Sequence, residues 1–164
     1  MIFVTVGTHE QQFNRLVQEI DSLKGDGLIE DEVIIQTGFS TYEPKYCKWS
    51  KLISQAEMQH NVEQARIVIT HGGPASFIAP LQIGKIPVVV PRQKKYDEHV
   101  NNHQLEFCKS VESRMGNIIV VEEISELENV ICNYEKEINK RKQGYSHNNE
   151  EFNKKLEQIV KELV

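Results

Sequence analysis

Apolar residues are spaced along this chain in two alternating ways. Five short runs rich in β-branched residues, 2–6, 33–36, 66–70, 87–90 and 117–121, are apolar at neighbouring as well as alternate positions. Such runs read as strands buried on both faces, because a strand with one wet face would alternate apolar and polar residues. A weaker sixth candidate spans 49–54. Between these runs the period changes. Phe13, Leu16, Val17, Ile20 and Leu23 fall at the steps that line one face of a helix, and 57–65, 76–83 and 100–111 are further helix candidates. Strand–helix alternation predicts crossover connections, and so a mostly parallel sheet with helices on both faces. The expected fold class is a Rossmann-like, doubly wound α/β domain.

The C-terminal part has a different texture. From Ser125 onward the chain is polar with a helical stripe of Leu127, Val130, Ile131, Tyr134 and Ile138. After a break at 144–149, a last helix is predicted with Phe152, Leu156, Ile159, Val160 and Leu163 on one face and Lys and Glu on the others. Such a stripe packs either on the chain's own sheet or on another subunit. The length, 164 residues, suits one core. The expectation is one domain over 1–164, with 145–164 a C-terminal helix able to dock a partner.

Charge and cysteine content narrow the function classes. Nineteen basic and 24 acidic residues leave a net charge of −5, which speaks against nucleic acid as a partner. The three cysteines, Cys47, Cys108 and Cys132, are scattered and form no CxxC pair, so neither zinc nor redox chemistry is indicated, and a reducing cytoplasm is expected. The opening MIFVTVGTHE has no basic region before its short apolar run, and no stretch reaches the roughly 20 apolar residues of a membrane span. Any membrane association is therefore expected to come through a partner or a surface patch.

In doubly wound sheets, ligands sit beyond the carboxyl ends of the strands. Three loops there carry chemistry. THGGPAS (residues 70–76) follows a predicted strand and precedes a predicted helix. Gly72 and Gly73 would let a phosphate approach the backbone, Pro74 suits a first helical turn, and Ser76 offers a hydroxyl. A tight turn without a ligand would use the same residues. PRQKKYDEHVNNHQ (residues 91–104) gathers Arg92, Lys94, Lys95, His99, Asn102, His103 and Gln104, which suit a hydroxyl-rich, anionic ligand or simply a solvated loop. Glu98, Asn102 and Gln104 would share a helical face. His99 and His103, four apart, have the spacing of metal ligands but no third partner. In GTHEQQF (residues 7–13), Thr8 and Gln11 would form a capping box. His9 and Glu10 would then project at the cleft mouth as candidate general bases. No DxD sequence is present, which favours handling of a diphosphate without a metal.

FVTVGTHEQQFNRLVQEID, EVIIQTGFSTYEP, ARIVITHGGPASF and GKIPVVVPRQKKYDEHVNNHQLEF, taken together and in this order, resemble the small catalytic subunits of two-part bacterial polysaccharide glycosyltransferases. They are also similar to the C-terminal, donor-binding half of glycosyltransferase family 28, the MurG-like enzymes. The resemblance runs over residues 1–110. It implies half of a GT-B fold that binds a UDP-sugar, needs no cofactor or metal, and relies on a membrane-anchored partner subunit for the acceptor half. It also implies inverting transfer of a hexose, galactose above glucuronic acid or N-acetylglucosamine, to an undecaprenyl-diphosphate-linked sugar. That activity would serve capsule or exopolysaccharide synthesis at the inner face of the plasma membrane. On this basis His71, Gly72, Gly73 and Ser76 would cradle the diphosphate. Arg92, His99, Asn102, His103 and Gln104 would line the diphosphate and sugar region, and Gly7, Thr8 and His9 would close the cleft. His9 or Glu10 would act as base, unless the partner supplies it. The family's ribose-binding glutamate has no counterpart in Phe77-Ile78-Ala79-Pro80-Leu81, so that role is not carried over.

Overall fold

Among the described residues, six short strands form one parallel sheet in the order β3-β2-β1-β4-β5-β6. The structure is a computed structural model and describes residues 1–142 together with 154, 155, 157, 158, 161 and 162. Along the chain come β1 (Ile2–Thr5), α1 (Asn14–Gly25), β2 (Val33–Gln36), β3 (Lys48–Ser50) and α2 (Gln55–Gln64). Next are β4 (Ile67–His71), α3 (Pro74–Gln82), β5 (Val88–Val90), α4 (His103–Met115) and β6 (Ile119–Val120), then α5 (Leu127–Cys132) and α6 (Tyr134–Lys142). This is the doubly wound, Rossmann-like arrangement the alternation predicts. Strand order reverses between β1 and β4, which leaves a crevice beyond their carboxyl ends. Thr5 pairs with Gln36 on one side and Thr70 on the other, so the loops after β1, β2 and β4 leave the sheet side by side.

The strands are buried on both faces because each face carries helices. Ile2, Val4 and Val6 point with Ile67, Ile69, Val88 and Val90 into a core closed by Leu16, Val17 and Ile20 of α1 and by Leu127, Ile131 and Tyr134. On the other face Phe3 and Val68 meet Val62 and Ala65 at α2, and Val89 meets Phe77, Phe107 and Val111 of α3 and α4. The Tyr134 hydroxyl donates to the Ile86 carbonyl at 2.6 Å, which fixes the predicted stripe after Ser125 onto this domain. The break at 144–149 and the expected face of Phe152, Leu156, Ile159, Val160 and Leu163 lie outside the described residues.

Three expectations are corrected at element ends. The strand expected at 49–54 is Lys48–Ser50, because Ser54 and Glu57 form a capping box that starts α2. The capping box expected of Thr8 and Gln11 does not form. Gly7 turns the chain at φ +78°, the segment runs across the sheet edge, and α1 starts at Asn14. The helix expected from residue 100 starts at His103, so Glu98 and Asn102 do not share a helical face with Gln104.

Two buried or half-buried polar groups on α1 hold the loop after β2 against the site. The Asn14 carboxamide oxygen accepts the Thr41 and Tyr42 N–H groups at 2.8 and 3.0 Å. The Asp21 carboxylate, wholly buried, accepts the Tyr42 hydroxyl at 2.6 Å and the Lys45 and Tyr46 N–H groups. Its acidity is set by two opposing effects: burial raises its pKa, and these hydrogen bonds together hold it below the ordinary value. Asp21→Ala strands those donors in the interior, so a loss of about 1–3 kcal/mol is expected by urea denaturation. Asp21→Asn, which keeps an acceptor, is expected to lose less.

Candidate functional site

The crevice floor is built around one imidazole. His71 ends β4 and is 8% exposed. Its ring lies between Gly7 and Gly73: a methyl group at Gly7 would overlap Nε2, and one at Gly73 would overlap Cε1. A methyl at Gly72 would press on Gln104 Cβ at 2.9 Å and Cys108 Sγ at 3.0 Å. The paired glycines therefore admit the protein's own side chains first, and any approach of a ligand comes second. The Gly73 N–H donates to His71 Nδ1 at 3.1 Å. That bond assigns the proton to Nε2, which then donates to Ser76 Oγ at 2.9 Å. The Ser76 hydroxyl hydrogen is left to point outward. Pro74 occupies the first turn of α3, as expected, and the next N–H, that of Ala75, has no partner among the described residues.

Two more histidines use the same device. His9 Nδ1 accepts the Gln11 N–H at 3.2 Å, and His99 Nδ1 accepts the Asn101 N–H at 3.4 Å. Each imidazole thus ties its own loop two residues on, and each bond needs the neutral, Nε2-protonated form. The rings of His9 and His99 lie 4.8 Å apart, joining the loops after β1 and β5. His103, expected beside His99, sits exposed at the first position of α4. Burial pushes His71 down to about 4, with the Arg92 charge adding to it and the Gln104 side chain opposing. Burial also lowers His99, with His9, Arg92 and His103 adding.

The remaining expected residues take unequal places. Arg92 is fully buried beneath the loops, donating to backbone carbonyls. Gln104 accepts the Arg92 N–H at 3.1 Å and packs on Gly72. Asn102 accepts the Lys94 N–H at 3.0 Å on the outer surface. Thr8 and Glu10 are exposed on the first loop, and the Glu10 carboxylate has no partner among the described residues. Among the described residues, no group of three or more His, Cys, Asp or Glu side chains is placed to hold a metal ion.

Two structural residues were absent from the sequence reading of the site. Gln36 accepts the Thr5 hydroxyl at 2.6 Å and donates to the Gly7 and Lys51 carbonyls, fixing the turn at Gly7. A polar residue ending an apolar strand run was its one signal. Arg15 reaches across from α1 to Glu98, bonding both carboxylate oxygens at 2.9 and 3.0 Å, and its guanidinium lies 4.4 Å from the Tyr96 ring centroid. Beside these loops, a groove of about 350 Å³ is lined by Phe39, Tyr42, Trp49 and Leu52. The crevice as a whole presents neutral donors from three loops above one buried cation, an arrangement suited to an anion bearing hydroxyl groups.

Residues 1–163 match the glycosyltransferase family 28 C-terminal domain. The chain is similar to the UDP-N-acetylglucosamine transferase subunit ALG13 of Homo sapiens, 32% identical over 119 residues, and to that of Mus musculus, 30% identical over 118 residues. These stretches cover 67% and 66% of this chain but 10% of each relative, so the chain spans about a tenth of the length of those curated relatives. The crystal structure of the glycosyltransferase SnogD from Streptomyces nogalater superposes with a TM-score of 0.51 and 18% identity, over 86% of this chain and 38% of that one. At that identity the likeness is one of fold.

The His71 environment generates a pH dependence. The unfolded chain takes up a proton as pH falls below 6.5, while the folded chain resists until about 4. Stability is therefore full above 6.5 and falls through that window, by on the order of 3 kcal/mol from this group. His71→Asn offers Oδ1 to the Gly73 N–H and is expected to flatten this acid limb in thermal melts from pH 7 to 4. Gly73→Ala is expected to displace the ring, visible as a shifted His71 imidazole resonance.

Proposed function

The chain belongs to the glycosyltransferase family 28 C-terminal domain family, and from that premise we propose that it is the donor-binding half of a GT-B-type transferase, taking a UDP-hexose and working with a second subunit. The observation that carries the reading is the convergence of neutral donors at the switch point. These are the Ser76 hydroxyl oriented by His71, the Ala75 N–H at the start of α3, and the Nε2–H groups of His9 and His99. The diphosphate lies against the start of α3, where helix-terminal N–H groups favour an anion. The sugar extends toward the loop containing His99, Asn102 and His103. His71, Gly7, Gly72, Gly73 and Gln104 shape the floor on which it rests.

The reaction is a single displacement with inversion. The acceptor oxygen attacks the anomeric carbon, the bond to the diphosphate oxygen breaks, and UDP leaves with that electron pair. The acceptor proton passes to a general base, while the donors above hold the charge that builds on the leaving group. Of the two candidate bases, His9 has its one lone pair occupied by the Gln11 N–H, whereas Glu10 has a free carboxylate. Glu10 is therefore the base if this chain supplies it. No metal is required in this reading, since the donors and Arg92 carry the charge.

The four-motif resemblance favours galactose, a lipid-diphosphate-linked acceptor and capsule or exopolysaccharide synthesis. A second reading, N-acetylglucosamine, is favoured by the name of the human relative, and that name also supports a two-part enzyme. Among the described residues no helix is long and apolar enough to cross a membrane, so the partner would bring the chain to its lipid acceptor.

Calorimetric titration with UDP, UDP-galactose, UDP-N-acetylglucosamine and UDP-glucuronic acid, with magnesium or with a chelator, tests this reading. Binding of UDP and one UDP-sugar, unchanged by the chelator, is expected. Ser76→Ala is expected to weaken UDP binding about tenfold, the size of one hydrogen bond to a charged group. Absence of binding by both the chain and its co-purified pair would overturn the reading. Binding without transfer by the reconstituted pair would leave a non-catalytic nucleotide-sugar module.

A further inference from the structure

Arg92 heads the largest side chains buried without exposed surface. Its Nη1 donates to the carbonyls of Gln11, Gln12 and Glu98 at 2.9, 3.2 and 3.1 Å, and its Nη2 to that of Val6 at 2.8 Å. The guanidinium lies 4.9 Å from the Phe13 ring centroid, and Nε has no partner among the described residues. No carboxylate among the described residues hydrogen-bonds to it, although the Glu98 charge favours its cationic form. The nearby Glu98 carboxylate, equally buried, faces away to Arg15 and the Gln93 N–H. With the Glu98 carboxylate bonded to Arg15, the Arg92 charge is held by four backbone carbonyls. Burial lowers its pKa to about 10, so it stays charged at neutral pH.

A buried cation without a counter-ion is costly. Stapling the loops after β1 and β5 would need only donors. The charge matters to what lies above it: the titratable groups around the guanidinium are His9, His71, His99, Arg15 and Glu98, and the three imidazoles line the crevice. Lys94 and Lys95 are exposed, and Lys95 reaches Glu123, so their charges are screened by water. A fixed cation behind a low-dielectric wall acts over a longer range than a solvated one.

We propose that Arg92 is a positioning residue that never touches the ligand: it joins two crevice loops and, through a buried charge held by carbonyls and not by a carboxylate, sets the crevice's preference for a dianion. This rests on the nucleotide-sugar reading above, but its electrostatic half can be tested without a ligand. The same charge adds to burial in disfavouring protonation of His71 and His99, and neutrality is what their loop-tying bonds require.

The test uses Arg92→Met, Arg92→Lys and Glu98→Gln in the full chain. Imidazole titrations by NMR come first, without ligand. Arg92→Met is expected to raise the midpoints of His71 and His99, Arg92→Lys to leave them near wild type, and Glu98→Gln to lower them. Calorimetry then compares UDP, UMP and uridine. Arg92→Met is expected to lose at least tenfold for UDP, less for UMP and almost nothing for uridine, while Glu98→Gln moves UDP affinity the other way. Equal losses for all three ligands, or unmoved imidazole midpoints, would reduce Arg92 to a staple and overturn the proposal. If Arg92→Met does not fold, Arg92→Lys, which keeps the charge without the guanidinium fork, decides: a retained preference for UDP over uridine supports the proposal, and equal losses for UDP, UMP and uridine overturn it. Should wild type bind no UDP, the donor reading fails, while the imidazole titration still answers for the field.

Discussion

Four backbone carbonyls converging on the Arg92 guanidinium are the interaction on which the crevice depends. At the carboxyl edge of a parallel sheet the ladder of hydrogen bonds stops, and each departing strand leaves backbone groups that need partners. A helix cap would satisfy some of them, but here the segment after β1 crosses the edge before α1 begins. Side chains from distant parts of the chain fill the gap. Arg92 takes the carbonyls of Val6, Gln11 and Gln12, and Gln36 takes that of Gly7. Asn14 and Asp21 take the N–H groups of the loop after β2. The loops of the site are thus held by buried polar groups and are preorganised before any ligand arrives.

The histidines follow from the same constraint. An imidazole whose Nδ1 accepts a local N–H is both a turn former and an outward donor, provided that it stays neutral. Burial and the neighbouring cation keep His71 neutral over the whole range around neutrality. Stability toward acid is given up in exchange for a donor, His71, whose orientation does not change with pH near 7. That suits stabilisation of charge on a leaving diphosphate, where the donor must already be aimed.

The sheet was legible in the sequence because fully buried parallel strands leave continuous β-branched runs, and each strong run became a strand. Helix starts were less legible. Thr8 has the chemistry of a cap, but Gly7 at positive φ and the bond from the Phe13 N–H to Ser40 Oγ accompany a cap five residues on, at Phe13. The expected site residues lie on the loops and helix starts at one edge of the sheet, yet their surroundings differ from a reading that places charges on surfaces. Arg92 and Glu98 look like solvated loop residues in PRQKKYDEH. Burial of Glu98 rests on Arg15, 83 positions away, and burial of Arg92 on carbonyls of the segment after β1; no local pattern announces either pairing. Gly72 and Gly73 were visible as a demand for space, but the His71 ring that fills part of it lies beside them in the sequence and looked like a ligand contact.

What the fold leaves open bears on how such a site would work. Its donors all stand on one edge of one sheet, and neutral hydrogen bonds to a solvated anion gain little over water. Their worth rises when water is excluded. Around the loops of this edge, Phe39, Leu52 and Val100 stand 54%, 59% and 67% exposed. Large apolar side chains at the rim of a polar crevice lower the free energy of covering it. A second wall lowered onto that rim would dry the crevice and strengthen both the histidine donors and the Arg92 field at once. In the two-part enzyme proposed above, a donor half that is weak in isolation would realise its binding energy only where the acceptor is also present, and hydrolysis of the sugar nucleotide by stray water would be suppressed until then.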